Sequence, residues 1–542
     1  MTRSMESYPH FSICLSRRSG PRAFLVAWFW LIASISVASE SRHTGTLEQR
    51  IDSVAKRAME TWNVPGMAIG VVKDGKTVYS SGHGVRAFNA PAPVDADTLF
   101  RIASASKAFT SAALAVLVES GSLSWDSPVV EHIPELRFSD PWVTANITVT
   151  DLLAHRSGLM AHAGDLLLWP VPNAFTRQDV IQALRHFPIE RGFRAGYSYE
   201  NLLYIVAGEI VARETGTSWG SYVDQNIMQP LGMRRCFAGP IPEQEMINLA
   251  VPHGEVDGRL KIIDRNRIPR QPTKFAPAGG VVCSLSGMLN WLQLQLGRGT
   301  HPQGVQLFSP GQSEKVWAPH NLLGVSQSAR ELHGTLFRAY GLGWRIRDVF
   351  GYREISHTGS LDGWRAHVLM VPELELGIVV MSNGSSSAAR SAVMYTIEHG
   401  YLPAPERDWV STYLEMERAA EQEQVLAEAA LPETPAAIPS LPQSVYAGRY
   451  HDPWFGEVLI ERAESGLWFT ARKSPRLSGP MRHHSGHVFV VEWSDRSLEL
   501  DAFVRFHVDE LGQVPSMTMK RIVEPGSGDP DHFKLLEFSR AD

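Results

Sequence analysis

The amino-acid sequence predicts an α+β fold followed by a small all-β barrel domain. Strand-like segments lie on both sides of a mainly helical stretch that runs from about residue 147 to 235. Strands that return after helices favour one antiparallel sheet whose two halves are separated in the chain by a helical insertion. Near the C-terminus, a proline-rich stretch is followed by short alternating segments, which predict a separate β-barrel or sandwich.

Length and charge narrow the class of protein. A chain of 542 residues is too long for one ordinary domain, and 44% hydrophobic with 20% charged residues is typical of a soluble globular protein. The formal net charge of −6, without a clustered excess of Lys and Arg, argues against a nucleic-acid partner.

The first 39 residues differ from the rest of the chain. Three arginines between positions 17 and 22 precede the apolar run Ala23–Val37, and small residues follow it. This order predicts a signal peptide over residues 1–39, cleaved near Ala38 or Ser39, and hence an exported bacterial protein, periplasmic or secreted. The run is shorter than the roughly 20 residues of a membrane span. Membrane contact is expected only in the alternative in which the signal stays uncleaved as an anchor.

Cysteine is scarce in the chain. Cys14 lies in the predicted signal, so the mature protein keeps Cys236 and Cys283. The two can pair, but nothing in their spacing requires a disulfide, and the sequence favours two buried free thiols.

The first predicted elements lead to a serine. Leu47–Trp62 has helical periodicity, and the Asp-Gly pair at 74–75 is a strong turn signal between two alternating segments, which predicts a hairpin. The run Ala108–Glu119 predicts a helix that Gly121 ends. Ser104 therefore lies near a helix N-terminus, where backbone N–H groups favour developing negative charge.

Beyond the helical stretch the strands return between Gly334 and Asn383, with a turn at Pro372–Leu374. Trp409–Ala430 predicts a charged helix, and Leu431–Gln443 predicts a proline-rich linker. Short alternating strands from Tyr446 onward predict the β module. The predicted boundaries are 45–402 for the α+β domain, 403–443 for the helix and linker, and 444–540 for the barrel.

A Ser-x-x-Lys motif is the strongest sign of chemistry in the chain. Ser104 and Lys107 are three positions apart, so on a helix the lysine amine lies beside the serine hydroxyl. A serine hydroxyl becomes a nucleophile only when a neighbouring base takes its proton. The same motif occurs at Ser53 and Lys56, but inside an ordinary amphipathic helix, so context favours the copy at Ser104.

A Tyr-x-Asn motif opens the helix predicted after residue 200. The phenol of Tyr199 can relay a proton near a lysine, and the amide of Asn201 can hydrogen-bond an ester or amide without a change of charge. Taken alone, such a pair is more often a plain helix start.

A His-Thr-Gly-Ser segment at 357–360 ends a strand-like stretch. Gly359 leaves room for a substrate to approach the backbone, and the N–H of Ser360 can face the same oxyanion as the N–H of Ser104. A second His-Thr-Gly at 43–45 lies just after the predicted cleavage site without strand context, and it is interpreted as a terminal segment without a functional role.

Ser-x-x-Lys, Tyr-x-Asn and His-Thr-Gly in this order resemble the serine β-lactamase and penicillin-binding protein superfamily, with most likeness to class C β-lactamase-like esterases and D-peptidases. The segments ITVTDLLAHRSGL, IMQPLGM, PAGGVVCSLSGML and YGLGW support the resemblance. The stretch from Tyr446 onward is similar to a β-barrel module that often follows such hydrolases. The resemblance implies a β-lactamase/transpeptidase-like fold and a serine hydrolase (peptidase S12-like) that works through an acyl-enzyme, without cofactor or metal.

The resemblance also assigns roles. Ser104 would be the acylated nucleophile, Lys107 its activating amine, and Tyr199 the partner base and proton shuttle. The backbone N–H groups of Ser104 and Ser360 would form an oxyanion hole, in which one donor is worth about 10² to 10³ in rate. Substrate would be bound by Asn201, which orients its amide, and by His357, Thr358, Gly359 and Ser360.

The chain departs from the family at the third motif. Class C β-lactamases usually carry lysine where this chain has His357, and a fixed positive charge there helps to hold the β-lactam carboxylate. An imidazole is mostly neutral near pH 7. The departure disfavours antibiotic hydrolysis as the main role and favours neutral esters or short amides. The expected partner is a small-molecule or short-peptide substrate (ester, D-peptide, amide or lactam), and the oligomeric state stays open.

Two further patterns have structural explanations. Gly216–Gly220 fits a Gly-x-Ser-x-Gly nucleophile elbow, but a helical pattern precedes it, so Gly216 is better interpreted as a helix C-cap and Ser218 as the next helix start. Three histidines between 483 and 487 lie in the β module without a spaced carboxylate or cysteine, which predicts surface residues rather than a metal site.

A protein that binds penicillin or senses peptides on the same fold without hydrolysis is the alternative function. Such a binder has no need of a base, so the presence of Ser104, Lys107 and Tyr199 together favours the enzyme.

Overall fold

The structure, a computed structural model, describes residues 46–264, 274–429, 441–464, 466–498, 500–522 and 530–541. The predicted signal peptide and most of the predicted linker lie outside the described residues. Within the described ranges, no helix combines the length and the apolar character needed to cross a membrane.

Seven of the helices follow one another between residues 107 and 223 without an intervening strand. The α-helices of the described residues are α1 (Leu47–Thr61), α2 (Lys107–Glu119), α3 (Val129–His132), α4 (Pro141–Asn146), α5 (Val149–Leu153), α6 (Arg177–Ala183), α7 (Asn201–Thr215), α8 (Trp219–Val223), α9 (Ala276–Gly279), α10 (Leu285–Leu296), α11 (Pro310–Val316), α12 (Gln327–His333), α13 (Ser387–His399), α14 (Trp409–Ala429) and α15 (Gln443–Tyr446).

The strands before the linker are β1 (Gly66–Lys73), β2 (Lys76–Ala87), β3 (Ala90–Pro93), β4 (Phe100–Arg101), β5 (Cys236–Phe237), β6 (His253–Val256), β7 (Arg259–Ile262), β8 (Val282–Cys283), β9 (Asn321–Leu323), β10 (Arg338–Tyr340), β11 (Arg345–Val349), β12 (Tyr352–Leu361), β13 (Trp364–Val371) and β14 (Leu376–Ser382). Those after it are β15 (Gly448–Asp452), β16 (Gly456–Ala463), β17 (Gly466–Ala471), β18 (Ser478–Ser485), β19 (Val488–Val491), β20 (Ala502–His507), β21 (Ser516–Arg521) and β22 (Glu537–Arg540).

A nine-stranded sheet joins the two ends of the α+β domain. Its order is β3-β2-β1-β14-β13-β12-β11-β10-β9. β1 pairs antiparallel with β14, from Met67 opposite Ser382 to Lys73 opposite Leu376, so the N-terminal hairpin and the late strands form one sheet. The predicted antiparallel sheet with a helical insertion between its halves is confirmed.

Side chains of β1 alternate between two cores, as the period of a strand requires. Met67, Ile69 and Val71 pack in the core that contains α1 and α13. Ala68 and Val72 pack in the larger core on the other face, which contains α2, α7 and α10. The helix that follows Ser104 belongs to this larger core, where the ring of Phe109 in α2 stacks on that of Trp291 in α10 at a centroid distance of 4.0 Å.

The two cysteines of the described residues are paired. Cys236 in β5 lies directly opposite Cys283 in β8, and a disulfide joins them. The expectation of two free thiols was wrong. A small sheet with the order β4-β8-β5 brings together two segments that are 47 residues apart, and residue spacing alone does not reveal such a pairing.

Strands β15 to β22 form a closed antiparallel barrel. In β16 and β17 buried residues alternate with more exposed ones, so that Val458 and Ile460, then Leu467, Phe469 and Ala471, point inward. This alternation is the signature of a small barrel filled by its own side chains. The predicted fold class, an α+β domain followed by an all-β barrel, is confirmed.

Aromatic and charged contacts hold the barrel against the helical insertion. The ring centroids of Phe175 and Phe455 are 5.6 Å apart, and those of Phe187 and Trp454 are 5.2 Å apart. Beside them Lys473 Nζ lies 2.9 Å from an oxygen of Asp179, which lies at the start of α6. Buried aromatic pairs contribute strongly to such interfaces.

Candidate active site

Ser104 lies in a 3-10 turn, Ala103–Ser106, that leads directly into α2. In a 3-10 helix residues i and i+3 eclipse each other, so Lys107 is aligned with Ser104 and its Nζ lies 3.3 Å from Oγ. Ala103 has a φ of +46°. This left-handed conformation costs a non-glycine residue about 1 kcal/mol or more, and such strain is often found at functional sites.

Strand β12 packs directly against this turn. A Cβ on Gly359 would overlap the carbonyl oxygen of Ile102, so only glycine allows the strand to come this close. The space at Gly359 is therefore filled by the protein's own backbone, not left for a substrate as the sequence suggested. Thr358 and Ser360 alternate with Gly359 along the strand and line the cavity in front of Ser104.

The predicted oxyanion hole has its two parts at this cavity. The N–H of Ser104 belongs to the first turn of the 3-10 helix, where N–H groups have no acceptor within the helix. Ser360 lines the same cavity from β12. That the two N–H groups share one substrate oxygen stays a prediction.

Lys107 is fully buried. Its Nζ donates to Asn201 Oδ1 at 2.8 Å and to the carbonyl oxygen of Ala278 at 2.9 Å, and lies beside Ser104 Oγ. Burial lowers the pKa of Lys107 to about 7, while Asp165 opposes this shift and Arg345 adds to it. With two N–H groups used as donors, the lone pair of the free amine is left to face the hydroxyl of Ser104.

Tyr199 packs between the lysine and a buried imidazole. Its ring centroid lies 4.7 Å from Lys107 Nζ and 4.4 Å from the centroid of the His155 ring. Burial raises the pKa of Tyr199 above its usual value, although a hydrogen bond with Ser104 opposes the shift. The phenol is therefore protonated at neutral pH, which favours the shuttle role over the role of a base.

Asn201, the first residue of α7, is held from two sides. Its Oδ1 accepts from Lys107, and its Nδ2 lies 3.0 and 3.2 Å from the two oxygens of Asp165. Both ends of the amide are therefore engaged within the protein. The predicted role in orienting a substrate amide stays a prediction.

His357 is buried and faces inward. Its Nε2 lies 2.8 Å from the hydroxyl of Tyr340, and its Nδ1 lies 2.7 Å from the carbonyl oxygen of Thr358. Burial lowers the pKa of His357 well below its usual value, and Arg345 and Lys107 lower it further. The imidazole is therefore neutral, as the sequence analysis expected for this departure from lysine.

The motifs did not identify Arg345 or His155, although the first adjoins a quoted segment and the second lies within one. Arg345 directly follows YGLGW and lines the cavity, where its pKa is raised, mainly by nearby tyrosines, against the effect of burial. His155, in the HRSGL segment, accepts a hydrogen bond of 2.9 Å from the N–H of Glu200 and packs on Tyr199. A fixed positive charge therefore lies in the cavity although the third motif lacks one.

A cavity of about 630 Å³ opens in front of Ser104. Of the predicted site residues it is lined by Ser104, Tyr199, Asn201, His357, Thr358 and Ser360. Its apolar side consists of Leu168, Trp169, Pro170, Phe275 and Leu361. The barrel forms the opposite wall with Leu498, Leu500, Arg521, Pro530 and His532.

The duplicate motifs have the structural roles that the sequence favoured. Ser53 and Lys56 are exposed in the middle of α1. Gly216 ends α7 with a φ of +67°, and Ser218 caps α8 by accepting from a backbone N–H at 3.1 Å. The Gly-x-Ser-x-Gly segment is therefore a helix connection and not a nucleophile elbow.

One group of side chains among the described residues has the composition of a metal site. Potential ligand atoms of His333, Glu398 and His399 lie within 4.8 Å of one another. His333 Nδ1 and His399 Nε2 are 3.2 Å apart, and burial lowers the two pKa values to about 2 and about 4, so the imidazoles pair in the neutral form. Arg347 lies 3.8 Å from Glu398, and burial raises the pKa of this carboxyl well above its usual value. This cluster lies outside the residues that line the cavity.

Comparison with known families agrees with this geometry. The family model described as Beta-lactamase matches residues 51–401. The chain belongs to the beta-lactamase family. A second model, described as a domain of unknown function (DUF3471), matches residues 432–535, which include strands β15 to β21 of the barrel. The resemblance stated from the motifs is therefore confirmed.

Several known proteins are similar to the chain. It is 27% identical over 461 residues to the unguisins hydrolase of Aspergillus violaceofuscus, with 80% of each chain covered. The octameric penicillin-binding protein homologue of Pyrococcus abyssi has a TM-score of 0.55 at 21% identity, over 90% of this chain and 99% of that one. The class C beta lactamase of Rhodobacter sphaeroides has a TM-score of 0.53 at 21% identity, over 65% of this chain and 99% of that one. At such identities the two solved structures show the fold alone.

Proposed function

We propose that this protein is a serine hydrolase that cleaves an ester or amide bond through an acyl-enzyme on Ser104. The observation that carries the proposal is the distance of 3.3 Å between Lys107 Nζ and Ser104 Oγ. Burial lowers the pKa of this lysine to about 7, so a large fraction is free base at neutral pH. Family membership and the hydrolase name of the Aspergillus relative support the same class of reaction.

Acylation begins with proton transfer from Ser104. The free amine of Lys107 accepts the hydroxyl proton while Oγ forms a bond to the substrate carbonyl carbon. The N–H groups of Ser104 and Ser360 donate to the oxyanion. As the intermediate collapses, the bond to the leaving alcohol or amine breaks, and the proton returns from Lys107 through the phenol of Tyr199 to the leaving group.

Deacylation repeats these steps with water. Lys107 accepts a proton from a water molecule, relayed through the phenol of Tyr199, as the water oxygen attacks the ester carbonyl. The bond to Ser104 Oγ breaks, the serine is reprotonated, and a carboxylic acid leaves. The same groups serve both half-reactions because Lys107 accepts a proton from the nucleophile and returns it to the leaving group within each of them.

The lining of the cavity narrows the proposed substrate to a short peptide or ester with an apolar group near the reacting carbonyl. Leu168 and Trp169 on one side and Leu500 on the other supply apolar surface. Arg345 offers a fixed positive charge to a carboxylate, whereas the neutral His357 offers none.

The barrel, in this proposal, limits which substrates reach Ser104. Five of its residues line the cavity, so a long ligand would have to pass them or displace the barrel. The aromatic contacts of Phe455 and Trp454 with the helical insertion oppose such displacement. A role in substrate selection therefore accompanies its structural role.

A fluorophosphonate probe tests the central claim. The wild-type protein is expected to be labelled at Ser104, and Ser104→Ala is expected to abolish labelling. Ser53→Ala is the matched control, because Ser53 belongs to the duplicate motif and is exposed in α1. Labelling that survives Ser104→Ala, located by mass spectrometry at another residue, would contradict the proposal.

A substrate panel separates the classes that share this intermediate. Hydrolysis of p-nitrophenyl esters, D-alanyl peptides and a chromogenic cephalosporin is compared for wild type and Ser104→Ala. We expect ester or peptide turnover to exceed cephalosporin turnover. A folded protein that binds these ligands but turns none of them over would support the alternative, a penicillin-binding or peptide-sensing protein.

We also propose that the protein is exported. The N-terminal signal pattern carries this proposal, and the pairing of Cys236 with Cys283 supports it, because disulfides persist mainly in oxidising compartments. Fractionation of a bacterium that produces the full chain, with mass spectrometry of the mature N-terminus, tests it. Intact protein with residue 1 present in the cytoplasm would contradict it.

A further inference from the structure

A carboxylate outside the three motifs lies beneath the candidate active site. Asp165 is fully buried at the start of a 3-10 turn, Asp165–Leu167, in the helical insertion. Its two oxygens lie 3.2 and 3.0 Å from Asn201 Nδ2, and one of them lies 2.8 Å from Nδ1 of His162. Burial of a carboxylate is costly unless hydrogen bonds and a counter-charge compensate for it.

The acceptor character of Asp165 determines which way the amide of Asn201 points. A carboxylate only accepts hydrogen bonds, so the NH₂ end of Asn201 has to face Asp165. The carbonyl end then faces Lys107, whose Nζ lies 2.8 Å away. With an uncharged amide in place of Asp165, either orientation of Asn201 would find a partner, and Lys107 would lose a fixed acceptor.

The loop that carries Asp165 is held in an uncommon conformation. His162 has a φ of +62°, and its N–H donates to the carbonyl oxygen of Tyr199 at 2.8 Å. Gly164 follows with a φ of +70°, where a Cβ would overlap Phe187 and Leu202. Left-handed conformations at non-glycine residues persist only where the surroundings enforce them, and they are concentrated at functional sites. The loop is thus tied to Tyr199 and presents its carboxylate to Asn201.

Asp165 is also the acidic group whose negative charge acts on the buried lysine. It favours the charged form of Lys107, whereas burial and Arg345 favour the free amine. The other titratable groups around the pair include His155, His162, Tyr199, Glu200, Tyr204, His357 and His532. Burial keeps His155 and His357 neutral and raises the pKa of Glu200 well above its usual value, so none of these three balances the lysine charge.

We propose that Asp165 is a positioning residue, which orients the amide of Asn201 toward Lys107 and supplies the buried counter-charge of that lysine. This inference rests on the proposed function, because it assumes that Lys107 activates Ser104. The barrel completes the arrangement. The ring of His532 lies 6.1 Å from the ring of His162, so the barrel covers the outer end of the chain His162–Asp165–Asn201–Lys107.

The test measures the rate of fluorophosphonate labelling of Ser104 as a function of pH. In wild type the rate should rise with pH and level off, with a midpoint near the pKa of about 7 that burial imposes on Lys107. Asp165→Asn removes the charge that favours protonated Lys107, so the midpoint should move to lower pH by about one unit. The plateau rate should fall about tenfold because Asn201 is no longer held in one orientation.

Two further variants separate the effect of the charge at position 165 from the effects of side-chain shape and of protein stability. Asp165→Glu keeps the charge, so it should keep the wild-type midpoint while the plateau rate falls. Asp224→Asn is the matched control, because Asp224 is a partly buried carboxylate that accepts from the N–H groups of Ala238 and Gly239 and does not line the cavity. It should leave both the midpoint and the plateau unchanged. If Asp165→Asn does not fold, Asp165→Glu still tests the charge role. An unchanged midpoint in this variant supports that role, and a midpoint shifted to lower pH contradicts it.

The possible failures are distinguishable. Wild-type protein that is not labelled at Ser104 would contradict the proposed function itself. Labelling in wild type together with an unchanged midpoint in Asp165→Asn would overturn the charge role of Asp165 alone. A midpoint shifted in Asp165→Glu as far as in Asp165→Asn would also overturn it, because both carboxylates carry the same charge.

Discussion

The Nζ atom of Lys107 lies 4.7 Å from the centroid of the Tyr199 ring and 3.3 Å from Ser104 Oγ. An aromatic face attracts an ammonium group, whereas burial disfavours it. Burial dominates and lowers the pKa of Lys107 to about 7. A base with this pKa gains a proton as the pH falls below 7, so the rate should decrease in that direction.

Activity should fall on the acid side of pH 7. The protonated amine cannot accept the proton of Ser104, so kcat/KM for a neutral ester should decrease about tenfold per pH unit below the pKa of Lys107 and level off above it. Lys107→Arg, which stays charged, should lose about 10² to 10⁴ in rate on the plateau above the pKa of Lys107, and the difference from wild type should shrink as the pH falls. Lys56→Ala, at the duplicate motif, should keep the wild-type profile. A pH-independent rate between pH 5 and 9 would contradict a role for Lys107 as the base.

Arg345 should select substrates by charge. Arg345→Met is expected to raise KM for a carboxylate-bearing peptide by roughly tenfold or more, because the substrate loses a hydrogen bond between charged groups. KM for an uncharged ester should change little. Because Arg345 lowers the pKa of Lys107, its loss should also move the acid limb of the profile to higher pH. Arg330→Met, exposed in α12, is the control. Equal losses for charged and uncharged substrates would indicate disruption of the fold instead.

The disulfide should stabilise the α+β domain. Its half-cystines are 47 residues apart in the chain. Closing a loop of that length in the unfolded chain is worth about 4 kcal/mol in the chain-entropy model. The double variant Cys236→Ser/Cys283→Ser is expected to show a lower Tm than oxidised wild type and no response to dithiothreitol, whereas dithiothreitol should lower the Tm of wild type. A wild-type Tm that is insensitive to reductant after unfolding and refolding would contradict this.

The parts of the site that lie close together in the chain were predictable. Ser104 and Lys107 are related by local helical geometry, and Tyr199 and Asn201 open one helix, so short motifs identified them. Asp165 is different, because no local pattern distinguishes it from other acidic loop residues and only the packing of the helical insertion brings it to Asn201.

Long-range pairing explains the rest of what the sequence did not reveal. The partner of Cys236 depends on the order of a small sheet, and the neighbour of Gly359 depends on how β12 crosses the turn before Ser104. The fold class was predictable from the order of strands and helices. That the barrel contributes Leu500 to the cavity was not, because this requires the orientation of one domain on the other.

The barrel wall should determine which acyl chains are accepted. Leu500 is buried and lines the cavity, so a long apolar acyl group that reaches it would bury methylene groups against its side chain. Leu500→Ser is therefore expected to reduce kcat/KM for p-nitrophenyl octanoate by roughly tenfold while changing that for the acetate little. Leu511→Ser is the matched control, because Leu511 lies on the same barrel and is 82% exposed. A loss of the same size for acetate and octanoate would show that the substitution damages the barrel as a whole, and selection by chain length at this wall would then be ruled out.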